Sequence, residues 1–288
     1  MHWRTDMTVL MKFRRHCLAA VMLVSAVSGI QAAEDLPLWE LGAGVSAFSF
    51  PAYRGSDQTN NFLLPVPHVT YHGDFLKADR HGIRGSFFDS DWLDLSISLA
   101  LSPPASSNDI TARSGMPDLK GTFEIGPQMD VTFWRSDNRA RFLKLLLPLR
   151  TAITLEGSPK DIGLVFHPKL NMDITDIPGM SGWNLGMLAG PLFGDKRQHA
   201  YYYAVAPQYA TADRPAYDAK AGYAGMQYLV ALSKRFPSYW VGGFVRYDNL
   251  SGATFDNSPL VRQKDYVAAG IAITWVLGES STRVKVDD

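Results

Sequence analysis

Any chemistry this chain performs must come from a small set of side chains. Beyond residue 30 stand five histidines: His68, His72, His81, His167 and His199. His68 and His72 share a strand face, but four residues of strand span roughly 13 Å, whereas two ligands of one zinc must each lie about 2 Å from it. Asp161 and His167 stand on one strand with a wide gap. No serine sits in a G-x-S-x-G elbow, so a serine–histidine–acid relay has no local signature. Glu124 and Asp130 are about 20 Å apart along a strand, beyond the roughly 5–9.5 Å of glycosidase carboxylate pairs. A phosphate loop and a dinucleotide fingerprint in a strand–helix setting are both missing. The single cysteine, Cys17, lies in the leader, which excludes thiol catalysis and cysteine metal sites. The sequence predicts no catalytic residue, no metal site and no cofactor.

The elements that would position any site are more legible. Leu93, Leu95, Ile97, Leu99 and Leu101 interleave with Asp94, Ser96, Ser98, Ala100 and Ser102. Strand side chains alternate between faces, so one face is aliphatic and the other carries acid, hydroxyl and small groups. The pattern recurs over segments 38–50, 62–71, 75–88, 92–102, 121–134, 141–155, 161–175, 183–193, 200–206, 222–233, 239–248 and 266–277. Most reach the 9–11 residues a tilted strand needs to cross a bilayer, and several exceed the five or six common in small soluble domains. Trp39, Trp92, Trp134, Trp183, Tyr239, Tyr247, Tyr266 and Trp275 fall near segment ends, where interfacial girdles form. The expected fold is all-β: an antiparallel transmembrane β-barrel of about twelve strands, ten being the alternative count. A secreted β-sandwich is disfavoured by strand length, by the long aliphatic faces and by the lack of disulfides. In segment 62–71, Pro65 and Pro67 are unusual, because proline removes a ladder donor.

Lys12, Arg14 and Arg15 precede an apolar run ending in small residues, with Ala32 or Ala33 as the cleavage position. Residues 1–32 therefore read as a signal peptide, 33–277 as the barrel and 278–288 as a polar C-terminal tail. The chain carries 28 Lys and Arg against 28 Asp and Glu, and no basic domain remains to suggest nucleic acid. The expected setting is the cell outer membrane, with membrane lipid as a partner.

Long connections should face outside when the N-terminus is periplasmic. Loops 51–61, 207–220 and 250–264 obey this, while 103–119 falls on the periplasmic side of a twelve-strand count. Either the count is off by one before Trp92, or that loop has a periplasmic task.

Several stretches resemble the MipA/OmpV family of outer-membrane proteins. These are Tyr53-Arg54-Gly55-Ser56-Asp57, Arg113-Ser114-Gly115-Met116-Pro117-Asp118-Leu119, Glu124-Ile125-Gly126-Pro127, Tyr201-Tyr202-Tyr203-Ala204-Val205 and Asp256-Asn257-Ser258-Pro259-Leu260-Val261. Their order and spacing carry the resemblance over residues 38–277. It implies a twelve-strand type of barrel acting as a scaffold that joins a membrane-bound lytic transglycosylase to a bifunctional penicillin-binding protein. Such a scaffold needs a periplasmic contact surface, and Arg113, Met116 and Asp118 are its candidates. The competing role for them is to fold their loop against the barrel mouth. Tyr53, Gly55, Ser56, Asp57, Ser258 and Pro259 are the family-motif loop residues. A narrow channel for small solutes is the alternative function, and an outer-membrane hydrolase would lack a site.

Overall fold

The computed structural model describes residues 34–73, 76–79 and 82–286; the signal-peptide reading and His81 lie outside them. Period-two patterning produces strands nearly throughout. In chain order they are β1 (Glu34–Pro37), β2 (Trp39–Pro51), β3 (Thr59–His72), β4 (Leu76–Asp79), β5 (Gly82–Asp89), β6 (Leu93–Ser102) and β7 (Thr122–Arg135). There follow β8 (Arg141–Thr154), β9 (Asp161–Phe166), β10 (Lys169–Ile174), β11 (Trp183–Gly194), β12 (Gly222–Arg235), β13 (Tyr239–Asn249), β14 (Asp265–Glu279) and β15 (Arg283–Val286). A 13-stranded antiparallel sheet runs from β2 through β14 and closes on itself, because β14 pairs with β2 and β8 pairs with both β9 and β10. β9 and β10 are two halves of one strand, interrupted at His167-Pro168, so the barrel wall counts twelve strands. Pro168 lacks the N–H that an unbroken ladder would need there.

Three sequence expectations are corrected. The segment 75–88 is not one strand but β4 and β5, paired as a short hairpin. The segment 200–206 is not a strand: residues Lys196–Tyr203 form a helix, α1. The side chain of Asp195 accepts from the Gln198 backbone N–H at 2.8 Å, and this N-cap outweighs the strand propensity of the tyrosines. One strand gained before Trp92 and one lost after it leave the total unchanged but reverse the side of loop 103–121. Connections 52–58, 103–121, 155–160, 195–221 and 250–264 share one end of the barrel; 90–92, 136–140, 175–182 and 236–238 share the other. The short-turn end also carries a ribbon in which β1 pairs with β15, so the described end of the polar tail is a strand.

The outer face is an aliphatic belt that includes Leu41, Val45, Val69, Leu149, Val230, Val245 and Ile271, all exposed. Its exposure is the reverse of a soluble protein's and matches a wall facing lipid. Trp39, Trp92, Trp134, Trp183, Tyr239 and Trp275 lie toward the short-turn end, where an interfacial girdle belongs. No helix among the described residues is long and apolar enough to cross a membrane.

Inside, alternation delivers charge. Arg150 Nε lies 2.9 Å from Glu124 Oε2, and its Nη1 donates to Ser98 Oγ at 3.2 Å. Nearer the short-turn end, Arg235 Nη2 lies 2.8 Å from Glu40 Oε1, and Glu40 Oε2 meets His68 Nε2 at 3.3 Å. Buried charge in a lumen is tolerated only when paired in this way.

Candidate functional site

Loops from the long-connection end fold together into a cap over the barrel mouth. Its apolar centre is Tyr53, Ile110, Leu119, Tyr203, Val205, Leu250, Phe255 and Leu260 with neighbouring alanines. The ring of Tyr203 stacks on Phe255 with centroids 3.6 Å apart and planes at 10°, while His199 meets Phe255 edge-on at 4.7 Å.

Each motif contributes a specific bond. Tyr53 Oη donates to the Leu260 carbonyl at 2.6 Å, and Tyr203 Oη donates to the Arg54 carbonyl at 2.9 Å. Ser258 Oγ donates to the Tyr203 carbonyl at 2.7 Å, so Pro259 follows a residue anchored in the centre of the cap. Gly55 sits at φ +97°, and its carbonyl accepts from the backbone N–H of Arg262 at 2.7 Å. Ser56 Oγ and Gln58 bond reciprocally, closing the turn. Asp57 remains half-exposed at the surface, 4.0 Å from Arg262.

Arg113 is 3% exposed. Its Nη1 donates to the Tyr202 carbonyl at 2.9 Å, its Nη2 to the Pro117 carbonyl at 3.2 Å, and its guanidinium lies 5.8 Å from the Tyr53 ring centroid. Asp118 Oδ1 accepts from the Ser107 backbone N–H at 2.8 Å, and Met116 packs half-buried against the cap centre. The loop therefore spends Arg113 and one oxygen of Asp118 on its own folding. The cap lies at the end of the barrel opposite the β1–β15 ribbon. Arg214 ties the loop to the one after α1, donating to the carbonyls of Ala112 and Ser114 at 3.1 and 2.9 Å.

Arg54 pins the cap to the barrel. Its Nε lies 3.0 Å from Asp248 Oδ1 and 3.2 Å from Tyr266 Oη. Asp248, fully buried, also receives Arg246 Nε at 2.8 Å and Gln227 Nε2 at 3.1 Å. Burial opposes the charge on Arg54, but Tyr266 and Asp248 beside it hold the guanidinium above its ordinary value. Burial pushes the Tyr53 phenol up to about 12 despite Arg113. In the sequence Arg54 stands within a family motif, and nothing local joins it to Asp248, 194 positions away. The available signal was the same for both: an ionisable residue at a position the fold must bury.

The histidines separate. His72 Nδ1 donates to the Pro37 carbonyl at 2.9 Å, His199 enters the cap, and His167 is buried in the lumen. His68 lies between Thr274 Oγ1, 2.9 Å from its Nδ1, and Glu40, which gives a hydroxyl–imidazole–carboxylate line. Glu40 is committed to Arg235, however, so this line belongs to a lumen ion-pair network. Among the described residues no group of three or more His, Cys, Asp or Glu could hold a metal ion.

The model of the family described as MltA-interacting protein MipA matches residues 43–277. The chain belongs to the MipA family. The matched range runs from within β2 to within β14 and takes in every loop of the cap. No curated protein sequence matches the chain. Among solved structures, one described as a bacterial polysaccharide outer membrane secretin is similar at 10% identity, covering 84% of this chain and 99% of its own, with a TM-score of 0.40.

Proposed function

We propose that this chain is a non-enzymatic outer-membrane scaffold that holds cell-wall enzymes, a lytic transglycosylase and a penicillin-binding protein, at the periplasmic end of the barrel. Membership of a family described as MltA-interacting carries this reading. Short turns and both strand termini face the periplasm in barrels of this kind, so the contact surface is the end bearing the β1–β15 ribbon. The capped end faces outward. A cap pinned by Arg54 to Asp248 and a lumen crossed by ion pairs favour a closed barrel. The competing reading, a narrow channel for small solutes, draws on the mixed-charge inward faces.

One experiment separates them. Detergent-purified barrel is tested for capture of a purified lytic transglycosylase of the MltA type, and separately for conductance in a planar bilayer. The scaffold reading expects saturable capture, unchanged on deleting residues 106–115 and weakened on deleting residues 280–288, with a silent bilayer. Discrete pores without capture would establish the channel instead.

A further inference from the structure

The lumen below the cap gathers more positive charge than its acids neutralise. Arg54 Nε and Arg246 Nε lie 3.0 and 2.8 Å from the two oxygens of Asp248, so two guanidinium groups share one carboxylate. Arg54 Nη2 is buried and has no hydrogen-bond partner among the described residues. Arg246 stands between Val245 and Tyr247, both exposed on the lipid face, which places it on the inner face. Its side chain is nevertheless 29% exposed, so open lumen space meets this guanidinium.

Lys169 belongs to the same ring of inward positions as Asp248. Gly190 is opposite Gln227, and Gln227 is opposite Asp248. A Cβ on Gly190 would lie 2.9 Å from Lys169 Cα, so Lys169 begins this row. With Gly190 in the row, the wall contributes no side chain between Lys169 and Gln227. Lys169 is half-buried and makes no ion pair among the described residues. The acids that face it are Asp130 and Glu124. Glu124 is held by Arg150 at 2.9 Å. Asp130 stands two strands away through Leu146, about 10 Å between backbones.

His167 lies among these groups. It is 4% exposed, and its Nε2 has no hydrogen-bond partner among the described residues. Four cations face it: Lys169, Arg150, Arg54 and Arg246. Against them stand the carboxylates of Glu124, Asp130 and Asp248. Arg150 is matched by Glu124, and Asp248 is divided between two arginines, which leaves the surplus at Lys169 and Arg54. Ammonium, guanidinium and an imidazole N–H are all donors, and their charge-assisted bonds are strongest to carboxylate and phosphate oxygens. Orphaned donors around a surplus positive charge fit an anion. β10, β11, β12 and β13 pair in succession behind the row, so it opens to the lumen and not to lipid.

We propose that the lumen binds one small oxyanion from solution, of the size and charge of phosphate. Lys169 and the Arg54–Arg246 pair hold it, and His167 is a further donor. The test is equilibrium dialysis of the mature barrel, solubilised in dodecyl maltoside, against radiolabelled inorganic phosphate. Binding should saturate at one phosphate per chain. Lys169→Gln should weaken it about tenfold or more, while Lys169→Arg should stay within about threefold of the parent. Lys160→Gln, at an exposed position outside the lumen, should leave it unchanged. If Lys169→Gln does not fold, His167→Phe removes a donor without removing a charge and should weaken binding about threefold. The absence of saturable binding, or parental affinity in both Lys169→Gln and His167→Phe, would overturn the proposal. So would binding of a short-chain phosphatidate without binding of free phosphate, since the anion would then be a lipid headgroup.

Discussion

Arg54 leaves the first long loop and reaches into the barrel, where its Nε lies 3.0 Å from Oδ1 of Asp248, a residue 194 positions later in the chain. Asp248 in turn accepts from Arg246 and Gln227, so one fully buried carboxylate balances two partly exposed guanidinium groups. The pair couples two parts of the molecule with different tasks: a loop that closes the mouth and a strand that builds the wall.

Asp248→Asn keeps the shape but leaves both arginines uncompensated. Breaking a buried pair in this way costs about 3–5 kcal/mol. The temperature at which the barrel loses its compact, fast-migrating form on gel electrophoresis should fall clearly below that of the parent. An unchanged transition would mean that Arg54 and Arg246 find other partners.

Gly55→Ala tests the left-handed turn of the first loop. At φ +97° an L side chain is strained, and a Cβ there would lie 3.2 Å from Leu250. Strain of this kind costs about 1–3 kcal/mol. The effect should be local, seen as faster proteolytic nicking between residues 52 and 58 with the barrel transition nearly unmoved.

His199 makes the cap sensitive to acid. Burial lowers its pKa, the Lys220 carbonyl and Asp195 oppose this, and the Arg54 charge adds to it. Nδ1 donates to the Lys220 carbonyl at 2.6 Å, and the buried Nε2 has no hydrogen-bond partner. A histidine whose folded pKa lies below its unfolded value of about 6.5 stabilises fully at higher pH, and that stability is lost as pH falls through the folded value. Protease protection of loops 195–221 and 250–264 should therefore decline below about pH 6.5. His199→Asn retains a donor for Lys220 and should flatten the profile; an equally steep decline in that variant would assign the effect to another group.

Even-numbered residues of β3 bond toward β2, so replacing Pro65 and Pro67 together by valine returns two N–H groups to the edge of β3 turned away from β2. Each unsatisfied group facing hydrocarbon costs several kcal/mol, so the yield of folded barrel should drop and chain-to-chain association should rise. The control Pro148→Val, on the intact wall in β8, should not increase association. Equal behaviour of the two would remove the special role of this edge.

Much of the wall was legible because alternation is a local property. Leu93–Leu101 reveals its lipid face from neighbours two residues apart, and β2, β6, β7, β12, β13 and β14 follow the same rule. Segment 200–206 misled because its tyrosines carry strand propensity, whereas the deciding interaction is a cap set five residues earlier by Asp195. Segment 75–88 misled because a hairpin of two short strands and one long irregular strand have similar composition. Counting 75–88 as one strand put loop 103–121 at the other end of the barrel, one of the two alternatives the sequence left open, and the buried bonds of Arg113 serve the folding of that loop.

The sequence by itself determined the strand faces, the aromatic ends, the missing donors at Pro65 and Pro67 and the family motifs, since each depends on residues close along the chain. Only the tertiary structure decided that Tyr53, Arg113, Tyr203 and Ser258 meet in one cap, because barrel closure brings loops separated by up to two hundred residues to the same rim. Register likewise decided where the prolines point. A lost N–H is visible in the sequence, but whether it faces β2 or the opposite edge of β3 depends on which residues of β2 and β3 stand opposite each other.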